Sequence, residues 1–94
     1  MRPYEIMIIH RPELAEDDVR SAIADLEKAI AESGVHESTD FWGKRRFAYE
    51  IDHVNEGYYS VVEFRAEPDL LAVLDRALSL SDAVIRHKII RREA

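Results

Sequence analysis

The 94 residues of this chain suffice for one domain and leave no room for a second hydrophobic core. Hydrophobic residues make up 47% of them, which excludes global disorder, and the absence of cysteine excludes disulfides and thiolate chemistry. The formal net charge of −6 excludes binding to nucleic acid through overall charge, so any such contact must depend on a local group of cations.

The N-terminal third predicts a strand followed by an amphipathic helix. Residues 4–10 are apolar and rich in β-branched side chains, and Arg11-Pro12 ends this run. Residues 15–33 carry apolar side chains every three or four positions, with acidic residues in the first turn, where the helix dipole favours them. Gly34 is expected to stop the helix, because glycine can adopt the left-handed conformation.

The central segment predicts a β-hairpin. Residues 35–52 lack helical periodicity and are typical of an extended strand, which is bulged or broken at Gly43. Asn55-Glu56-Gly57 predicts the turn of the hairpin, and residues 58–65 alternate as expected for the returning strand.

A second helix and a last strand complete the pattern. Pro68 suits the first turn of the helix, and residues 83–91 predict the strand. The order βαββαβ indicates an α+β, ferredoxin-like domain over residues 1–94, with a four-stranded antiparallel sheet of order 4-1-3-2 and both helices on one face. By alternation, the open face of the sheet would mix apolar groups with cations: Met7, Ile9, Tyr59, Val61, Arg86, Lys88 and Ile90.

Two segments concentrate cations within this acidic chain. Residues 44–46 are all basic and stand between aromatic side chains. Protection of an edge strand by charge explains these cations, but it does not explain the aromatic residues beside them. Residues 86–92 hold four Lys or Arg, one His and no acid, which suits contact with phosphates, although a solvated strand is the simpler alternative.

No motif for catalysis or for a cofactor is present in the sequence. A Gly-rich phosphate loop, a nucleophile elbow and zinc-ligand spacing are all absent. His10 and His87 are expected on the helix-facing side of adjacent strands, but a metal site there would need a further ligand. We therefore predict no catalytic residue, no metal and no cofactor.

Three segments closely resemble the family of bacterial small-subunit ribosomal protein six. They are MRPYEIMII at the N-terminus, the central WGKRRFAYEI followed by GYY, and the closing SDAVIRHKIIR. The resemblance covers nearly the whole chain and implies a ferredoxin-like fold and a structural, non-catalytic role in the small ribosomal subunit. It also implies two partners, namely the central domain of small-subunit ribosomal RNA and ribosomal protein eighteen of that subunit. No apolar run approaches the ~20 residues that cross a bilayer, so the protein is expected to be cytoplasmic. It is also expected to be a monomer in isolation.

The resemblance, together with charge position, divides the basic segments between the two partners. The residues expected to contact RNA are Arg2, Tyr4, Arg86, Lys88 and Arg91. Those expected to meet the partner protein or nearby RNA are Trp42, Lys44, Arg45 and Arg46. Glu50 stands where the family often has proline, which adds a negative charge near this segment.

A different class of function is the alternative. A ferredoxin-like enzyme or ligand-binding domain would dimerise through the open sheet face and enclose a small molecule. His10, His87 and Glu63 would be its candidate polar residues. A homodimer carrying a ligand in native mass spectrometry would favour this alternative, whereas a monomer that pairs with one basic protein would favour the ribosomal role.

Overall fold

The computed structural model describes residues 1–51 and 53–92, which form a four-stranded sheet and two helices. The elements are β1 (Arg2–His10), α1 (Glu16–Ser33), β2 (Val35–Ile51), β3 (Val54–Ala66), α2 (Pro68–Leu80) and β4 (Val84–Arg91). The strands pair antiparallel in the order β2-β3-β1-β4, which confirms the predicted class and topology. Strands β2 and β4 therefore form the two edges of the sheet.

Apolar side chains at alternate positions of the central strands build a core between the sheet and the helices. Ile6 and Ile8 of β1 and Phe64 of β3 are buried, and each such side chain stabilises the fold by about 1.5–3 kcal/mol. Helix α1 contributes Ile30 and α2 contributes Leu74 to the same cluster, and Ile30 belongs to the apolar stripe predicted for residues 15–33. Neither helix of the described ranges has the length and apolar character needed to span a membrane.

Gly34 follows α1 as predicted, but for a different physical reason. Its backbone N–H donates to the carbonyl of Ile30 at 2.7 Å and closes the helix. Its dihedral angles, φ −150° and ψ −152°, are extended and not left-handed, so the predicted reason is wrong. A Cβ at this position would lie 2.4 Å from the carbonyl oxygen of Arg65, so glycine allows β2 to pass close to β3.

The predicted turn at residues 55–57 is also wrong, because these residues lie inside β3. In the hairpin register, Arg45 pairs with Gly57 and Arg46 with Glu56. Gly57 serves close packing and not chain reversal, since a Cβ there would lie 2.7 Å from the carbonyl oxygen of His10. Asp52, the predicted end of the second strand, lies outside the described residues.

Strand β2 is irregular, as predicted at Gly43. Its register against β3 shifts three times, and one shift falls between Phe41 and Gly43, whose φ is +80°. The third shift spans residues 46–50, here called the hairpin arm, and Phe47 of this arm packs against Tyr59 on the open face of the sheet. Ile9, predicted to be exposed on that face, is consequently buried, with only 2% of its surface accessible.

Candidate nucleic-acid and partner-protein interface

An aromatic ridge, formed by Trp42, Phe47 and Tyr59, divides the open face of the sheet. The Trp42 and Tyr59 rings are stacked, with their centroids 6.2 Å apart and an interplanar angle of 11°. Phe47 of the hairpin arm meets Tyr59 edge-on at 5.6 Å. The register shift beside Gly43 places Trp42 over β3, and half of the Trp42 surface remains exposed. The ridge separates two grooves on the open face, and the Trp42 indole is partly accessible at its top.

The first groove, here called the hairpin groove, lies between the hairpin arm and the centre of the sheet. It has a volume of about 360 Å³, and its lining includes Arg46 of β2 and Arg86 of β4. These residues come from opposite edges of the sheet, and the bend of β2 brings them to one groove. Glu50, noted above for its negative charge, lines the same groove.

The second groove, here called the acidic groove, lies on the other side of the ridge. It has a volume of about 460 Å³. Carboxylates come to it from three strands, and its lining is Glu5, Met7, Ser38, Asp40, Trp42, Val61 and Glu63. The Trp42 indole N–H donates to Asp40 Oδ2 at 2.9 Å, which fixes the ring at the edge of the groove.

Arg92 ties the end of β4 across the sheet. Its guanidinium donates to the carbonyl oxygens of Tyr4 and Phe64, at 3.1 and 3.3 Å, and to the carboxylate of Glu63 at 3.3 Å. It also pairs with Glu37 of β2. The hydrogen bond from Arg92 holds the pKa of the Glu37 carboxyl below its usual range, with a smaller contribution from Arg65.

The five residues predicted to contact RNA are distributed over different parts of the structure. Arg86 and Lys88 are exposed on the open face of β4, opposite Ile9 and Met7 of β1. By strand alternation Arg2 and Arg91 belong to the other face, and both are exposed. Tyr4 is 5% exposed and packs against Phe64 at 5.7 Å, so its burial argues against the contact predicted for it.

The predicted partner-binding segment lies on the β2 edge but does not form one patch. Lys44 lies over the ring of Tyr58 at 5.2 Å, on the helix-facing side. Arg45 is exposed opposite Gly57, and therefore belongs to the open face. Only Trp42 joins this segment to the acidic groove.

Of the carboxylates of the acidic groove, only that of Glu63 was predicted at a site, as part of the ligand-binding alternative. Glu5 and Glu63 pair directly across β1 and β3, and Asp40 pairs with Val61. Strand alternation places Glu5 on the same face as Met7 and Glu63 on the same face as Val61, so this alternation is the signal that the sequence offers. Their convergence with Asp40 depends on the register of β2, which the sequence does not reveal.

The three residues of the ligand-binding alternative do not converge. His10 and His87 do share the helix-facing side of β1 and β4, but His87 Nε2 is bonded to Asp75 Oδ1 at 2.8 Å. Glu63 lies on the opposite face of the sheet. Within the described ranges, no group of three or more potential ligands is placed to hold a metal ion.

His10 is a buried, neutral residue of the core. It is 3% exposed, and its Nδ1 has no hydrogen-bond partner among the described residues. Burial lowers the pKa of His10 below its usual value near 6.5. The unfolded chain therefore binds a proton that the folded chain rejects, so stability is fully present above about pH 6.5 and is lost as the pH falls towards the folded pKa.

Replacement of this histidine by leucine is expected to reduce the loss of stability in acid. His10→Leu should also raise the free energy of unfolding at pH 7.5 by about 1 kcal/mol, because it removes an unpaired buried polar group. Urea denaturation at pH 7.5 and 5.5 measures both effects. His53→Asn is the control, since His53 is exposed and asparagine tolerates its positive φ of 63°. An unchanged acid dependence in His10→Leu would contradict the assignment.

Comparison with known proteins agrees with the described fold. Residues 3–91 match the family described as Ribosomal protein S6. The chain is 43% identical to small ribosomal subunit protein bS6 of Clostridium perfringens over 94 residues, which cover 99% of each chain. It is 46% identical to the bS6 protein of an Arthrobacter species, covering 99% of this chain and 93% of that protein.

Solved structures show the same similarity. The crystal structure of 30S ribosomal protein S6 from Thermotoga maritima superimposes with a TM-score of 0.91 at 33% identity, covering 97% of this chain and 87% of that one. The C-terminal domain of the MgtC protein from Mycobacterium tuberculosis gives a TM-score of 0.61 at 20% identity over 99% and 89% of the two chains, which indicates a shared fold alone.

Proposed function

Because this chain belongs to the ribosomal protein S6 family, we propose that it binds the central domain of small-subunit ribosomal RNA together with ribosomal protein eighteen. As a small-subunit ribosomal protein it is a structural protein and not an enzyme, and it acts in the ribosome, in the cytoplasm. It associates there with ribosomal RNA and with other ribosomal proteins. The proposal concerns which RNA region and which protein it meets, and through which residues.

One observation carries the RNA-binding part of the proposal. Arg86 and Lys88 project side by side from the open face of β4, at an edge of the sheet that an RNA helix can reach. Lys and Arg attract phosphates over a short range, because salt screens the field within about 8 Å. Arg91 of β4 and Arg2 of the neighbouring strand β1 are exposed on the other face of the sheet, so any RNA contact that they make would be separate from that of Arg86 and Lys88.

The charge of the whole chain explains why a second protein is needed. The formal net charge of −6 opposes the approach of RNA, so attraction depends on the short-range effect of local cations such as those of β4. A basic partner would cancel this repulsion and supply further phosphate contacts. We place that partner on the β2 side of the sheet, where Trp42 is exposed and Lys44 and Arg45 precede Arg46, the first residue of the hairpin arm.

The geometry does not favour the ligand-binding alternative. A homodimer that enclosed a small molecule against the open face would need its polar residues on that face. His10 and His87 face the helices, and only Glu63 lies on the open face. We therefore expect native mass spectrometry to show a monomer that forms a one-to-one complex with ribosomal protein eighteen.

Neutralising the β4 cations is expected to weaken RNA binding and to make it less dependent on salt. The plot of log affinity against log salt concentration has a negative slope, and in the double variant Arg86→Ala and Lys88→Ala its magnitude should decrease by about 1.5–2. The measurement is a filter-binding titration of a central-domain RNA fragment with the two-protein complex at several salt concentrations. Lys28→Ala with Arg76→Ala is the control, because it removes the same charge from exposed helical positions. An unchanged slope would remove Arg86 and Lys88 from the RNA contact.

A further inference from the structure

The acidic groove holds an electrostatic arrangement that does not serve the stability of the isolated chain. Glu5 of β1 lies directly opposite Glu63 of β3, on the same face of the sheet. Like charges in directly opposed positions of an antiparallel pair are destabilising. Asp40 of β2 brings a third carboxylate to the same groove. The fold therefore concentrates negative charge at a place where sheet pairing alone would favour neutral or opposite charges.

Intramolecular cations compensate this charge only in part. Arg92 reaches Glu63 at 3.3 Å from one end of the groove. Asp40 accepts a hydrogen bond from the neutral indole of Trp42, which does not cancel its charge. Among the residues that the structure describes, Glu5 forms no salt bridge. A further positive charge entering the groove would thus meet carboxylates that the chain itself leaves available.

The shape and lining of the groove fit a long cationic side chain. Met7 and Val61 provide apolar contact for an aliphatic stem, and the volume of about 460 Å³ exceeds what one ordered water would fill. Trp42 is half exposed at the edge and already stacked on Tyr59, so its outer ring face is available to a guanidinium. The same groove would repel a phosphate.

We propose that the acidic groove is a docking site for an arginine- or lysine-bearing segment of a partner protein. Charge complementarity selects this occupant over RNA, and the absence of a metal-holding group within the described ranges selects it over a divalent cation. The inference rests on the proposed function for the identity of the partner, ribosomal protein eighteen, but the chemistry of the occupant stands on the groove itself. It assigns Glu5, Asp40 and Glu63 to protein recognition, beside the separate RNA contacts of β4.

A peptide titration tests the groove without reference to any ribosomal partner. Hexa-arginine amide is added to the isotope-labelled chain and followed by NMR. The expected shifts are confined to the Trp42 indole N–H and to the signals of Glu5, Met7 and Asp40. In the double variant Glu5→Gln and Asp40→Asn, the affinity should fall by about tenfold or more. These isosteric changes relieve repulsion in the groove, so the variant should unfold at a temperature no lower than the parent chain.

A matched control separates a specific groove from general charge attraction. Asp25→Asn with Glu32→Gln removes the same charge from exposed positions of α1, on the far side of the sheet, and should leave peptide binding unchanged. Shifts that spread over α1, or an unchanged peptide affinity in the Glu5 and Asp40 double variant, would overturn the proposal.

A second binding experiment distinguishes an error in the docking site from an error in the identity of the partner protein. The affinity of ribosomal protein eighteen is measured for the parent chain and for both double variants. A loss of about tenfold or more in the Glu5 and Asp40 variant alone would support the docking site. Equal binding by both variants would overturn it while leaving the proposed function intact. Failure of the parent chain to bind protein eighteen would count against the proposed function, and the peptide titration would still decide the chemistry of the groove.

Discussion

Replacing Phe64 by alanine is expected to lower the free energy of unfolding by about 3–5 kcal/mol. Phe64 is fully buried on β3, and its ring lies 5.7 Å from that of Tyr4. The core cluster around it includes Ile30 of α1 and Leu74 of α2, so its removal leaves a cavity between the sheet and both helices. The melting temperature of a domain this size should fall by roughly 12 °C or more, which calorimetry measures directly.

The matched control for Phe64→Ala is Tyr49→Ala in the hairpin arm. Tyr49 is also aromatic but is 83% exposed, so its removal should change stability by no more than about 0.5 kcal/mol. A cost below about 1.5 kcal/mol for Phe64→Ala would contradict a close-packed core at this position. A large cost for Tyr49→Ala would mean that the arm contributes to folding and not only to the binding surface.

Gly57→Ala is expected to destabilise the chain by about 1–3 kcal/mol and to weaken binding to the two partners as well. The added Cβ would lie 2.7 Å from the carbonyl oxygen of His10 and from Ile9 Cγ2. Because the first of these neighbours is backbone, relief requires β3 to move away from β1. Phe47 lies 3.3 Å from the same Cβ position, so the movement would also displace the hairpin arm and the aromatic ridge.

Two measurements separate these effects of Gly57→Ala. Urea denaturation gives the stability, and RNA titration with protein eighteen present gives the affinity under conditions where the variant remains folded. Asn55→Ala is the control, since Asn55 is exposed on the same strand and its change should leave both quantities nearly unchanged. If Gly57→Ala were as stable as the parent chain, the close approach of β1 and β3 at this point would be contradicted.

The fold followed from the sequence because its signals are local. Alternation along residues 4–10 and the apolar stripe of residues 15–33 are properties of single elements, and both were confirmed. The roles predicted for Gly34 and Gly57 are wrong, because glycine is required at both positions by the close approach of a neighbouring strand. Their absent side chains make room for the Arg65 and His10 carbonyls, and a sequence does not display such neighbours.

The candidate site could be predicted only in part for the same reason. Arg86 and Lys88 alternate along an edge strand, so their exposure on the open face followed from the topology. Tyr4 alternates with Ile6 and faces the helices, so strand alternation indicates burial at this position, whereas the RNA contact predicted for it rests on the family resemblance. The register of β2, with its three shifts, brings Asp40 and Trp42 beside Glu5, and no local pattern encodes that register.

The position of β1 in the sheet has a consequence during synthesis. β1 is made before every other strand described here, yet both of its neighbours, β3 and β4, are made later. The apolar residues of β1 therefore stay unpaired until β3 and β4 have been made, whereas β2 and β3 can pair as soon as their hairpin is complete. Unpaired apolar strands are prone to aggregation. We expect the nascent chain to be most prone to aggregation after β1 has emerged and before β4 has emerged.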